Sequence, residues 1–245
     1  MVVWTFGPPN ETTETHKEIT PPMRLHRILA SMLAAAAVLA ALPALTADPW
    51  TEDFEAAKKT AAKEDKHLLI DFTGSDWDGR CKRLNEEVFK TDEFTKAAPK
   101  DFVLVKLDFP EQKQQSAEIK KQNKKLQEEY QVQGLPTIFL ALADGTPYAR
   151  TGYQEGGPEK YLEHLDELQA QADKLEELQA NVKQAEGTGK ARALHARVKW
   201  KQESGLPVAP DVGAKILALD PENETGLTGR YESAELLKTA METLQ

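Results

Sequence analysis

Phe72-Thr73-Gly74-Ser75-Asp76-Trp77-Asp78-Gly79-Arg80-Cys81-Lys82 follows the apolar run Leu68-Leu69-Ile70 and leads into an amphipathic stretch that reaches Lys90. An apolar run that ends in a short polar turn and then opens a helix is a common place for chemistry in α/β proteins, because the first N–H groups of the helix have no internal partners. Asp78 stands at that opening. The single cysteine of the chain, Cys81, lies three residues further on.

Outward from this stretch, His67 to Phe72 reads as a strand buried on both faces, with Asp71 as its one charge. Before it, the pattern predicts a helix from Thr51, with Thr51 as its cap and Phe54, Ala57, Thr60 and Ala61 at helical spacing, ending near Asp65. After it, helix 79–90 should bury Leu84, Val88 and Phe89, and Thr91 to Phe94 should form a cap and turn. Phe102 to Phe109 makes a second strong strand, stopped by Pro110. The Lys-, Gln- and Glu-rich stretch 111–131 reads as a solvated helix whose buried side carries Leu126 and Tyr130. Strands over 138–142 and 147–151 flank an Asp144-Gly145 hairpin turn, and Pro158 opens a helix with an apolar stripe of Tyr161, Leu162, Leu165 and Leu168.

The central stretch resembles the active-site segment of the thioredoxin superfamily, in which Trp-Cys-Gly-x-Cys-Lys lies between a core strand and the following helix. Trp77, Gly79, Cys81 and Lys82 match that motif, while Asp78 replaces the first cysteine, which is the attacking nucleophile of the family. Gly134-Leu135-Pro136-Thr137 resembles the second family signature, a turn whose proline is cis and packs beside the active site. The resemblance implies a thioredoxin-like α/β fold over 48–168, a central mixed sheet flanked by helices, followed by an all-helical appendage over 169–245. It also implies that Asp71 is the buried aspartate that relays a proton to the second sulfur, with Lys106 near it. One extra residue separates Asp71 from the motif, and a partly solvated place at the strand end is the other reading.

In the tail, Leu175, Leu178, Val182 and Ala185 continue an amphipathic pattern that Gly187-Thr188-Gly189 is expected to break. Ala191 to Trp200 begins another helix. Asp220 to Asn223 looks like the turn of a helical hairpin, leading to a final helix with Leu227, Tyr231, Leu237 and Met241. One hairpin does not make a repeat array. A coiled coil through 161–185 is the alternative, although Gln179 falls on its seam.

Bulk composition narrows the function. The 245-residue chain carries 31 Lys+Arg against 40 Asp+Glu, a net charge of −9, and has no basic block, which argues against nucleic acid or an anionic membrane face as the main partner. Arg24 and Arg27 precede an apolar run from Ile28 to Leu42, and Leu45-Thr46-Ala47 offers a cleavage point. Residues 1–47 are therefore expected to be a signal peptide, with Met23 as the true start, and the mature protein to be periplasmic or extracellular. In an oxidising compartment a lone cysteine is buried, free and reactive, or paired with another molecule.

Asp78 is an effective helix cap, worth about 1 kcal/mol, and it sets a permanent anion beside Cys81 that should raise the pKa of the thiol. The candidate catalytic residues are Cys81 and Asp71. The expected polypeptide-binding residues are Trp77, Asp78, Gly79, Arg80, Leu135, Pro136 and Thr137. The five histidines have no metal-ligand spacing, Asp71, Asp76, Asp78 and Cys81 would make an unusual metal cluster, and no cofactor motif is present. Three functions follow: a non-catalytic module that binds extended or unfolded polypeptide, a single-thiol exchanger acting on a thiol-bearing client, and a scaffold whose helical tail binds a partner.

Overall fold

The computed structural model describes residues 48–233. The expected signal segment 1–47, and Leu237 and Met241 of the last expected helix, lie outside the described residues.

Five strands form one sheet: β1 (Trp50–Thr51), β2 (His67–Thr73), β3 (Phe102–Asp108), β4 (Thr137–Ala141) and β5 (Pro147–Thr151), in spatial order β1-β3-β2-β4-β5. β1 and β2 both run parallel to β3, whereas β2–β4 and β4–β5 are antiparallel. The helices are α1 (Phe54–Glu64), α2 (Gly79–Leu84), α3 (Asp92–Ala97), α4 (Ala117–Glu129), α5 (Gly157–Gln169), α6 (Gln171–Gln184), α7 (Gly187–Glu203) and α8 (Val212–Leu219), with further helical residues at 228–233. This is the expected α/β architecture, a mixed sheet between helices followed by an all-helical C-terminal region.

Strand alternation sorts the core into two layers. Leu69, Leu104, Ile138 and Leu140 face α2, α3, α5 and α6, where Leu84, Phe89, Phe94, Tyr161 and Leu175 complete the packing. Leu68, Ile70, Phe72, Leu107 and Phe139 face α1 and α4, against Phe54, Leu126 and Tyr130. A third cluster joins α7 and α8 through Leu194, Val198, Ile216 and Tyr231.

Several expectations need correction. Thr51 does not cap α1: it lies in β1, paired with Val105, and Asp53 caps instead, its carboxylate accepting from the Ala56 N–H at 2.8 Å. Thr60 is exposed, so the buried stripe of α1 is Phe54, Ala57 and Ala61. The break in the tail falls at Ala185–Glu186, and Gly187 to Gly189 form the first turn of α7. A coiled coil through 161–185 does not form, because the helix is interrupted at Ala170 and Leu175 is buried in the core beside the sheet. At the other end of the tail the expected hairpin turn is present: Asp220 accepts from the Glu224 and Thr225 N–H groups and from the Thr225 hydroxyl.

Helix α2 continues without a break into a π-turn over Asn85–Phe89, which buries the adjacent residues Val88 and Phe89 together with Leu84. A π-turn widens the helix by one residue. In a regular helix Phe89, five residues after Leu84, would point about 140° away from it.

Candidate functional site

Thr73 ends β2, and the next residues turn at the C-terminal edge of the sheet. Asp78 has extended backbone angles and its Oδ1 accepts from the N–H groups of Arg80 and Cys81, at 2.9 Å each. It is therefore the N-cap of α2, as its position predicts. Burial would raise its carboxyl, yet the Cys81 N–H and thiol, the Arg80 N–H and the Arg80 charge together hold it below the usual carboxylate range. At neutral pH the position is an anion.

Cys81 is only 2% exposed and is a free thiol. The Gly74 N–H donates to its Sγ at 3.3 Å. Burial pushes the thiol up to about 11; Asp78 adds to the rise, and Gly74 with the Thr73 hydroxyl offsets only part of it. A thiolate is the nucleophilic form of cysteine, so this environment suppresses the chemistry that the position serves elsewhere.

Asp71 is 3% exposed, on the same sheet face as Leu69 and in register with Lys106 of β3. Its Oδ1 has no hydrogen-bond partner. Burial raises it to about 7, with the Lys106 charge opposing and Asp108 adding to the rise. Lys106 turns its ammonium over the Trp50 ring, 5.3 Å from the centroid, rather than onto the carboxylate. Of the two readings of Asp71, the buried one describes this structure.

Trp77 is 42% exposed, the one large hydrophobic side chain so exposed among the described residues. Its Nε1 donates to the Phe109 carbonyl at 2.8 Å, and its ring lies so close to Gly74 that a Cβ there would sit 2.6 Å from Cε2. Arg80 reaches across to the second motif, where its Nη2 donates to the Leu135 carbonyl at 2.9 Å. The Leu135–Pro136 peptide bond is cis. Leu135 and Pro136 are half-buried, while Thr137 is buried and its hydroxyl donates to the Gly134 carbonyl at 2.7 Å. The structure thus brings Trp77, Asp78, Gly79, Arg80, Leu135 and Pro136 to one edge of the sheet, and turns the Thr137 side chain inward.

A polar network beside this edge has no signature in sequence spacing. Ser75 donates its N–H and hydroxyl to the two Asp108 oxygens, at 3.0 and 2.6 Å, and Lys113 Nζ donates to the Ser75 hydroxyl at 3.0 Å. Asp76 accepts from the N–H groups of Glu111, Gln112 and Lys113, which hold its carboxyl below the ordinary range. These bonds fasten the loop after β3 to the motif. Among the described residues no group of His, Cys, Asp and Glu is placed to hold a metal ion.

Comparison with known proteins agrees with the topology. The profile of a thioredoxin-like domain matches residues 54–169. The chain is 29% identical over 120 residues to "Disulfide bond reductase DsbH" of Chlamydia pneumoniae, covering 49% of this chain and 72% of that protein. It is 31% identical over 91 residues to "Thioredoxin-related protein DsbJ" of the same organism, covering 37% of this chain and 26% of that one. A solved structure titled "DsbH Oxidoreductase" superposes with a TM-score of 0.47 at 28% identity, over 49% of this chain and 82% of that one. With the sheet order, the two motifs and the matching profile in agreement, the domain of this chain belongs to the thioredoxin superfamily.

Proposed function

We propose that this is an exported thioredoxin-like protein that holds an extended or unfolded polypeptide segment against the edge formed by Trp77, Asp78 and Gly79 on one side and Leu135 and Pro136 on the other, with Arg80 spanning the two. The observation that carries this reading is the exposed Trp77 indole, fixed by its bond to Phe109 beside a shielded thiol. An aromatic ring held in place offers contact area at little entropic cost, and main-chain groups before a proline suit strand-like recognition. Export rests on the sequence signal in 1–47. No helix of the described residues is long and apolar enough to cross a membrane.

The test is binding of a fluorescent, reduced and carboxymethylated polypeptide to the protein. C81S is expected to bind as the parent does, and W77A to lose roughly tenfold or more, as an aromatic anchor would. Loss of binding in C81S would sink the proposal.

The names of the curated relatives favour a second reading, thiol–disulfide exchange through Cys81. Its thiolate would attack a client disulfide, form a mixed disulfide and release one client thiolate, and a thiol of the client or of another protein would resolve it. Trapping of Cys81-linked clients in the parent but not in C81S supports that reading, and it is independent of the polypeptide-binding assay. A scaffold role for the helical tail predicts that partner association is lost on substitution of exposed residues of α7 and α8, since removing 170–245 would also strip Leu175 and Leu206 from the core.

A further inference from the structure

Helix α7 carries Arg197 and Lys201 one turn apart, on the same face. Both line a cavity of about 230 Å³ that is walled by Leu175 and Gln179 of α6, Val212 of α8 and Thr146 of the hairpin turn. No carboxylate lines it. Among the described residues Arg197 makes no ion pair or hydrogen bond, and Lys201 makes one bond, from Nζ to the Pro207 carbonyl at 3.3 Å. Asp144, Glu128 and Glu129 lie along an adjoining cavity that Lys201 also lines and Arg197 does not.

Two neighbouring cations that are both half-buried repel one another, in a chain whose net charge of −9 supplies carboxylates elsewhere but none in this cavity. Burial lowers the Arg197 guanidinium, and it brings the Lys201 ammonium down to about 8 with help from the Arg197 charge, while Asp144 opposes. Gln179 interrupts the apolar stripe of α6 at the point where it enters this cavity. A guanidinium offers a planar fork for two oxygens, and an ammonium adds a point charge. We propose that this cavity binds an oxyanion, the carboxylate or phosphate group of a small molecule, between Arg197 and Lys201, with Gln179 and Thr146 supplying neutral hydrogen bonds. The volume lies below the range of roughly 300–1,000 Å³ common for drug-sized ligands, which fits a compact anion. The site is built by the tail and the hairpin turn and does not depend on the Cys81 motif.

The experiment acylates the full-length protein with an N-hydroxysuccinimide ester at pH 8 and follows Lys201 by mass spectrometry, in sodium malonate, sodium phosphate and sodium chloride at matched ionic strength. Malonate or phosphate at several times its dissociation constant is expected to slow Lys201 acylation at least about fivefold relative to chloride, with exposed Lys96 unaffected. The anion that protects at the lower concentration identifies the class. R197Q is expected to abolish the protection. Equal Lys201 rates in all three salts in the parent protein, or protection that persists in R197Q, overturns the proposal. The parent readout alone decides should R197Q not fold.

Discussion

The guanidinium of Arg80 is hydrogen-bonded to the carbonyl of Leu135, a contact across 55 positions of sequence that joins the first turn of α2 to the residue before Pro136. A strand arriving at this edge would seek that same carbonyl as an acceptor. Arg80 is thus an internal occupant of the place a polypeptide would take. R80A is expected to tighten binding of the carboxymethylated polypeptide by roughly three- to tenfold, the range for an exposed charge-assisted bond no longer displaced. Weaker binding in R80A would instead make Arg80 a direct contact.

The thiol of Cys81 should be almost inert at neutral pH. With its pKa near 11, its thiolate fraction at pH 7 is about 300-fold below that of an ordinary cysteine titrating near 8.5. Iodoacetamide alkylation of the native protein should therefore be slower by about that factor, and should rise with pH past 9. D78N keeps a cap acceptor and removes the charge. Burial is the larger cause of the shift, so D78N should lower the midpoint only in part and leave it above 8.5. A parent midpoint below 8.5 would move the weight onto single-thiol exchange.

Asp71 sets a pH dependence of stability. In the unfolded chain its carboxyl titrates near 3.9, and in the fold it titrates near 7. Between those values the native state keeps a proton that the unfolded state has lost, so its contribution is fully present below pH 4 and is lost as pH rises through 7. At about 1.4 kcal/mol for each tenfold change in proton affinity, the loss amounts to roughly 4 kcal/mol. Urea denaturation of D71N should show this slope removed, with greater stability than the parent at pH 8. The same slope in D71N and parent would mean that another group titrates there.

Helix α6 belongs to the core. Leu175 is fully buried with Tyr148, Tyr161 and Leu165, and L175A should cost about 2–5 kcal/mol, as large-to-small core changes do. The loss should appear as one shifted thermal transition that includes the sheet. Separate melting of the tail at an unchanged transition for the remainder would show that the two fold independently.

β2, β3 and β4 are legible in sequence because each is a nearly continuous apolar run bounded by a turn, and β5 because the Asp144-Gly145 hairpin turn precedes it; both motifs lie in the turns that follow β2 or precede β4. β1 is not, because two residues carry no period; only its pairing with β3, Trp50 with Leu104 and Thr51 with Val105, defines it. The tail break falls elsewhere than its glycines suggest, because glycine commonly signals a helix end, while here Gly187, at φ 48°, starts one. At the site, Asp78 as cap and the carboxylate beside Cys81 follow from local spacing, whereas spacing leaves open whether the thiol is buried, reactive or paired. The bonds Arg80–Leu135, Trp77–Phe109 and Ser75–Asp108 join distant segments, and no short-range pattern encodes them.

The π-turn at Asn85–Phe89 bears on how this chain tolerates changes of length. Such a turn is one residue accommodated within an otherwise regular helix. Removing a single residue from 85–87 would let this turn close as ordinary α-helix, and because the π-turn has already absorbed the extra residue, Leu84 and everything before it would keep nearly the same orientation relative to Val88 and Phe89. Cys81, Arg80 and the Asp78 cap lie on that preceding side. A one-residue deletion at the π-turn would thus leave the motif aimed as it is, whereas the same deletion inside the regular turns of α2 would rotate the residues before it by about 100°.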